Sequence, residues 1–252
     1  MFRGERVEIG IIGYGRFGQF AAGILKEDFC VSVFDQKKPL RLKGIQSLPL
    51  SEVASKPILL LCVPISRIGS ICKEINPFLT PGQLILDTCS VKEKPLREMT
   101  HALPRFVEIV GTHPLFGPDT AKSGLQGLRM AICPVRCRRV RKIKGYLEGK
   151  GLQVILTTPE KHDREMAHSQ ALFHFLARGV AAMGIQISPL STPGPAKLFR
   201  DFKDVQNDSL QLFKDLQQMN RFAGPVRKKL IKSLSRIEGA LSRKSGRFKP
   251  KS

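Results

Sequence analysis

Val7-Glu8-Ile9-Gly10-Ile11-Ile12-Gly13-Tyr14-Gly15-Arg16-Phe17-Gly18 is the stretch that decides the fold. An apolar run reads as a strand, ends in Gly-x-Gly-x-x-Gly, and passes into a helix predicted over Arg16–Lys26. In such a turn the first glycine permits the tight bend and the second lets backbone approach a pyrophosphate. The third allows close helix–strand packing. The N-terminus of the helix then offers free N–H groups and a partial positive charge to the phosphates. A glycine turn alone is weak, but here it follows a strand, opens a helix, and precedes Asp35 at the end of a second β-rich run, Val31–Phe34. A carboxylate there accepts hydrogen bonds from the adenosine ribose and repels a 2′-phosphate, which favours NAD. Lys37 and Lys38 close behind leave NADP open. The candidate cofactor residues are Gly13, Gly15, Arg16, Phe17, Gly18 and Asp35, with Val63 and Pro64 where the next apolar run ends. The other reading of Asp35 is a carboxylate that caps its loop.

From this start the first 157 residues alternate β-rich runs with helical stretches, the pattern of a doubly wound parallel α/β sheet of Rossmann type. Pro57–Val63 is continuously apolar, as a strand covered on both faces must be. Leu84–Leu86, Phe106–Val110, Arg129–Cys133 and Gln153–Leu156 are further strand candidates. Arg67–Ile75, Val91–Thr100 and the basic segment 135–149 are predicted helices. After Thr157-Thr158-Pro159 the strand pattern stops. His162–Met183 is predicted as one long helix and Leu198–Met219 as another helical stretch. Pro225 suits a first helical turn, after which Val226, Leu230, Leu234, Ile237 and Leu241 form an apolar stripe. The expected organisation is a dinucleotide-binding domain over 1–157, an all-helical substrate and dimerisation domain over 158–242, and a disordered basic tail over 243–252. The stripe predicts a homodimer.

The net charge of +21 is unevenly spread. Residues 221–252 hold 11 lysines and arginines against Glu238 alone, and residues 135–150 hold 7 against Glu148. Basicity therefore sits on a tail and one segment, and a nucleic-acid contact would be a secondary property of those places. No apolar run reaches the ~20 residues of a membrane-spanning helix. The first strand opens after six residues, so no leader is expected. Six cysteines without a Cys-x-x-Cys pair predict reduced thiols in the cytoplasm.

The second signature is Gly111-Thr112-His113-Pro114-Leu115-Phe116-Gly117-Pro118. It follows the run Phe106–Val110, so His113 is expected on a stiffened loop at the carboxyl edge of the sheet, where such sheets bind ligands. A histidine placed there suits a general base near neutral pH.

These motifs resemble the prephenate/arogenate dehydrogenase family of tyrosine biosynthesis. The resemblance runs through Ile12–Phe20, Asp87-Thr88-Cys89-Ser90-Val91-Lys92 and the His113 segment. It continues through His162-Asp163, Met166-Ala167, Gln170 and His174-Phe175 to Asp208-Ser209-Leu210, Asp215-Leu216 and Asn220. It implies NAD(P)-dependent oxidative decarboxylation of a cyclohexadienol bearing a 4-hydroxyl and a ring carboxylate. His113 matches the histidine that takes the hydroxyl proton, Ser90 a serine beside that hydroxyl, and Lys92 a nearby cation that keeps His113 neutral. His174 matches a histidine near the substrate carboxylate, and Gln170 lies one helical turn before it. Many bacterial members clamp the carboxylate with an arginine; here Lys203 and Arg200 are the candidates, and the choice stays open. Asp208 suits the ammonium of arogenate, which prephenate lacks, although it is also placed to N-cap the following apolar run.

Two rival readings meet objections in the sequence. A β-hydroxyacid-type dehydrogenase needs a catalytic lysine on the long helix, and none lies between His162 and Met183. A nucleic-acid-binding protein on the same scaffold draws on the Arg136–Lys144 run and the tail, but only Tyr146 and Phe248 offer stacking faces near those charges. No metal is expected: His162, His168 and His174 recur every six residues and face different sides of a helix.

Overall fold

The computed structural model describes residues 6–36, 44–185, 188–205 and 207–242. The expected tail at 243–252, and Lys37 and Lys38, lie outside these described residues. The chain divides into two compact units, Met1–His162 and Asp163–Ser252.

Among the described residues the first unit is built on an eight-stranded sheet. In chain order it runs β1 (Glu8–Ile12), α1 (Arg16–Leu25), β2 (Cys30–Phe34), β3 (Gln46–Ser47), α2 (Leu50–Ala54), β4 (Ile58–Leu61), α3 (Ile68–Ile75), β5 (Leu84–Asp87) and α4 (Glu93–Ala102). It then continues with β6 (Glu108–Pro114), β7 (Arg129–Arg136), α5 (Val140–Gly149) and β8 (Gln153–Leu156). The spatial order is β3-β2-β1-β4-β5-β6-β7-β8. Every neighbouring pair is parallel except β6 with β7, which is antiparallel. The order reverses between β1 and β4, and ligands bind at such a switch point, outside the carboxyl ends of the strands. Ile9 and Ile11 of β1, Val31 and Val33 of β2, Leu60 of β4 and Leu84 and Leu86 of β5 pack with Ala21 and Ala22 of α1. Burying each large aliphatic side chain contributes about 1.5–3 kcal/mol, and the small alanines let α1 lie close on the sheet.

Some details differ from expectation. The doubly wound sheet is parallel but for the β6–β7 pairing, which is antiparallel and prolongs β6 to Pro114. His113 therefore lies in a strand opposite Ala131, not in a loop. The basic segment expected as a helix from 135 is strand as far as Arg136. The Arg136 guanidinium donates to the carbonyls of Val107 and Pro104 at 2.9 and 2.7 Å, which holds that end of β7 extended, and α5 begins only at Val140.

The long helix expected over His162–Met183 is broken into α6 (Pro159–His168) and α7 (Gln170–Ala182). Ser169 leaves helical geometry at φ −110° and ψ −90°, and its hydroxyl donates back to the Glu165 carbonyl at 2.9 Å. Bonds of that kind compete with the helical ladder and bend helices. The stretch expected over Leu198–Met219 is likewise two helices, α8 (Pro193–Val205) and α9 (Leu210–Met219). Ser209 caps α9, its hydroxyl accepting the Leu212 N–H at 3.1 Å. The second unit closes with α10 (Ala223–Leu241). Its core is Ala177 of α7 against Phe202 and Val205 of α8, with Phe173, Leu176, Val180 and Phe199 packed around them. On α10 the predicted stripe is half-buried at Val226 and Leu230 and exposed at Leu234, Ile237 and Leu241. No helix among the described residues is long and apolar enough to cross a membrane.

Candidate active site

At the end of β1, Gly13 has φ +97°, and a Cβ built there would stand 2.4 Å from the Cys62 carbonyl oxygen and 3.1 Å from Val63 Cγ1. A Cβ on Gly18 would stand 2.1 Å from the Gly13 carbonyl oxygen, so α1 approaches its own turn at glycine distance. Gly15 is different: a Cβ there meets nothing within 4 Å. Gly15 is also the N-cap of α1, with no side-chain cap and no acid in the first turn. A helix N-terminus without a side-chain cap, with room at Gly15, suits a pyrophosphate.

The other expected cofactor residues are placed unevenly. Asp35 Oδ2 accepts the Tyr14 N–H at 2.6 Å, so this carboxylate stiffens the glycine turn from the end of β2. Phe17 packs into the core and against Phe20, with ring centroids 5.8 Å apart. Arg16 pairs with Asp119 at 2.5 Å, and Phe20 meets Phe116 edge-on at 6.2 Å. The segment after β6 is thereby tied to the start of α1. Pro64 is exposed just beyond β4.

The carboxyl edge of β5 and β6 holds a buried polar cluster. Asp87 ends β5 opposite Gly111 of β6. Lys92, fully buried, bonds the Asp87 carboxylate and donates to the Thr112 carbonyl at 2.6 Å. The Thr112 hydroxyl donates to the Asp87 carbonyl at 2.5 Å, and the Cys89 N–H to the Asp87 carboxylate at 3.0 Å. Lys92 therefore acts through the backbone that carries His113. His113 is itself buried, with Nδ1 2.9 Å from Nε2 of His162, which is buried too. Burial first, then His162, then the Lys92 ammonium hold His113 well below the ordinary histidine range. It is therefore a neutral imidazole at physiological pH and can accept a proton. Ser90 is half-buried in the turn between β5 and α4. Burial pushes the Cys62 thiol up to about 12 and raises Cys89 strongly, so neither neighbour is a ready nucleophile.

In the second unit, Gln170, His174 and Arg178 lie four residues apart along α7 and share one face. Gln170 Oε1, His174 Nδ1 and Arg178 Nε are each buried without a hydrogen-bond partner. His174 Nε2 lies 3.7 Å from the Asp208 carboxylate, and Arg178 Nη2 donates to the Asp208 carbonyl at 2.8 Å. The Arg178 guanidinium stands over the Phe213 ring, 5.1 Å from its centroid. Burial first lowers His174, opposed by Asp208 and assisted by Arg178. Ser209 caps α9, so the carboxylate of Asp208 is not the helix cap and faces His174. Lys203 and Arg200 are exposed on α8.

Residues 32–156 match the model of the prephenate dehydrogenase nucleotide-binding domain, and residues 180–251 that of the TYRAAT1-like C-terminal domain. Over 87% of its length the chain is 27% identical to the chloroplastic arogenate dehydrogenase 1 of Arabidopsis thaliana, covering 38% of that protein. Over 95% of its length it is 28% identical to the cyclohexadienyl dehydrogenase of Zymomonas mobilis, covering 90% of it. These matches support the prephenate/arogenate dehydrogenase family for this chain. Its fold matches that of Aquifex aeolicus prephenate dehydrogenase, solved with hydroxyphenyl propionate and NAD+. The TM-score is 0.76 at 21% identity, over 96% of this chain and 92% of that one. The chain spans less than two thirds of the length of the plant relatives it matches.

Three polar residues of the site, two of them within the family motifs, carry no role in the sequence reading. Arg178 continues the four-residue spacing of Gln170 and His174, and that spacing was the available signal. Asp87 carried a weaker one, an acid at a strand end five residues before Lys92. His162 reaches His113 across 49 residues of chain, and no local pattern announces such a pair.

Proposed function

We propose that the chain catalyses NAD(P)-dependent oxidative decarboxylation of arogenate or prephenate, giving tyrosine or 4-hydroxyphenylpyruvate. The observation that carries this reading is the buried, neutral His113 on the same sheet edge as the Gly13–Gly18 cradle. A bound nicotinamide supplies the acceptor for the hydride that leaves C4. Residues 1–157 hold the dinucleotide: Gly13 and Gly18 set the turn, and Gly15 with the first amides of α1 receives the pyrophosphate. Arg16 adds a cation, and Asp35 reads the ribose and favours NAD over NADP. Phe17, Val63 and Pro64 shape the walls. His113 accepts the proton of the 4-hydroxyl as hydride departs, Ser90 orients that hydroxyl, and Lys92 fixes the His113 backbone and opposes its protonation. Loss of carbon dioxide then aromatises the ring.

Residues 158–242 recognise the rest of the substrate. His174 and Gln170 present polar groups from α7, and the carboxylate is held by a cation, for which Lys203, Arg200 and Arg178 are available. Asp208 favours arogenate, because its carboxylate is not engaged as the α9 cap and can face an ammonium. The exposed Leu234, Ile237 and Leu241 on α10 support a homodimer. Six free cysteines support a reducing compartment, the cytoplasm.

The test is NADH formation by the purified protein with prephenate and arogenate in parallel, and His113→Asn as control. Turnover of one substrate, abolished in the variant, is the expected result. No turnover of either with NAD or NADP would refute the reading. Size-exclusion chromatography with light scattering tests the dimer, and cell fractionation the compartment.

A further inference from the structure

The contact between His113 and His162 constrains which nitrogen of His113 is available for chemistry. The two rings stand edge to face at 68°, with centroids 5.0 Å apart, and Nδ1 of His113 meets Nε2 of His162 at 2.9 Å. Both side chains are buried. Two neutral imidazoles can share this hydrogen bond in only two ways. Either His113 carries its proton on Nδ1 and donates it, leaving its Nε2 bare, or His162 donates and the His113 proton sits on Nε2. Only the first leaves a lone pair on the nitrogen that does not face His162.

We propose that His162 is a positioning residue that accepts the His113 Nδ1–H and so holds His113 in the tautomer whose Nε2 can take a proton. Its catalytic consequence rests on the dehydrogenase reading above. A second proton shared by the rings would create a cation where Lys92 already stands, its ammonium bound to the carbonyl next to His113. His162 lies in the first turn of α6. The Asp87 carboxylate is engaged by Lys92. His162 then serves as acceptor in the place an orienting carboxylate occupies in Ser-His-Asp triads. A neutral acceptor sets the tautomer without raising the basicity of His113. The base then releases its proton readily after each turnover.

The assignment can be read without turnover, by nitrogen-15 NMR of histidine-labelled, ligand-free protein above pH 7. Wild type should show His113 protonated at Nδ1 and bare at Nε2. In His162→Phe, which removes the acceptor, the proton should move to Nε2. The same variant should lose ~10²–10⁴-fold in kcat, the range of a lost general base, while KM values for NAD and substrate stay within about twofold. His162→Gln, whose amide oxygen can accept the same N–H, should restore the wild-type tautomer and most of kcat, and it keeps the test open if His162→Phe does not fold. A wild-type His113 protonated at Nε2 would overturn the proposal, as would a tautomer unmoved by losing the His162 acceptor. Absence of turnover in wild type would instead sink the dehydrogenase reading and leave the tautomer result standing on its own.

Discussion

Alanine at Gly15 and alanine at Gly18 should fail in opposite ways, although both break the same motif. At Gly15 an added Cβ meets no protein atom within 4 Å, and φ of −67° suits any residue. Alanine is a poorer N-cap than glycine, while a glycine-to-alanine change at a compatible conformation recovers ~0.4–1 kcal/mol from the unfolded state. The two effects offset, and the melting temperature should move by no more than ~2–4 °C. The methyl group instead fills the space left for the pyrophosphate. Loss of that approach should weaken NAD at least tenfold, about 1.4 kcal/mol. At Gly18 the Cβ would lie 2.1 Å from the Gly13 carbonyl oxygen. An ordinary carbon contact is ~3.5 Å, so α1 must retreat by more than ~1 Å from a closely packed sheet. Overpacking of that kind costs ~1–3 kcal/mol, and a unit of this size should melt several degrees lower. Titration calorimetry suits the binding arm, since a chain without tryptophan offers no indole signal to quench. Differential scanning calorimetry serves the stability arm. Undiminished NAD affinity in Gly15→Ala would refute the cradle, and an unchanged melting temperature in Gly18→Ala would refute the packing argument.

Lys92→Met should cost ~3–5 kcal/mol, because the Asp87 carboxylate would remain buried without its cation; adding Asp87→Asn should recover part of this in urea titrations, and an additive double variant would argue against direct coupling. His113 is depressed in the folded state, so below its unfolded value near 6.5 the unfolded chain binds more protons. Stability on its account is therefore full above about pH 6.5 and declines as pH falls toward the lower folded value. Denaturation midpoints compared between wild type and His113→Asn should converge in acid, and a constant difference across that window would contradict the assignment. Asp208→Asn should shift preference from arogenate toward prephenate with little change in stability, read as the ratio of kcat/KM values. Ser209→Ala should do the reverse, costing α9 ~1 kcal/mol of capping and leaving the preference alone; a shared phenotype would mean that both residues act through the cap.

Where the sequence was readable, one local rule governed the outcome. The glycine turn, the covered apolar strands and the switch to helix after Thr158 each follow from a period or a turn that neighbouring residues set among themselves. The errors arose where a distant partner or one side chain overrode the period. His113 is in a strand because β7 pairs antiparallel alongside it, and antiparallel pairing leaves no mark within the eight residues 111–118. Ser169 interrupts a helical pattern that is continuous in hydrophobicity, by turning its hydroxyl back on Glu165. Ser209 takes the cap that Asp208 was equally placed to fill, and residue type alone cannot separate two good caps in adjacent positions.

The polar groups of the two units differ in a way that bears on what each does. Around His113 the buried charges and most of their lone pairs are satisfied within the first unit, by Lys92, Thr112, Cys89 and His162. That is the arrangement a base requires, since a reacting imidazole must be held in place before the substrate arrives. On α7 the opposite holds: the Gln170 carbonyl oxygen, His174 Nδ1 and Arg178 Nε are buried with their hydrogen bonds unmade. An unmade buried hydrogen bond costs ~1–3 kcal/mol, so a polar molecule that reached this helix face would recover that cost. A compact zwitterion or dicarboxylate, rich in donors and acceptors, would do so, whereas an apolar partner would leave the cost in place. On the proposed reading, the first unit holds a reacting group still, and the second gains stability when substrate binds.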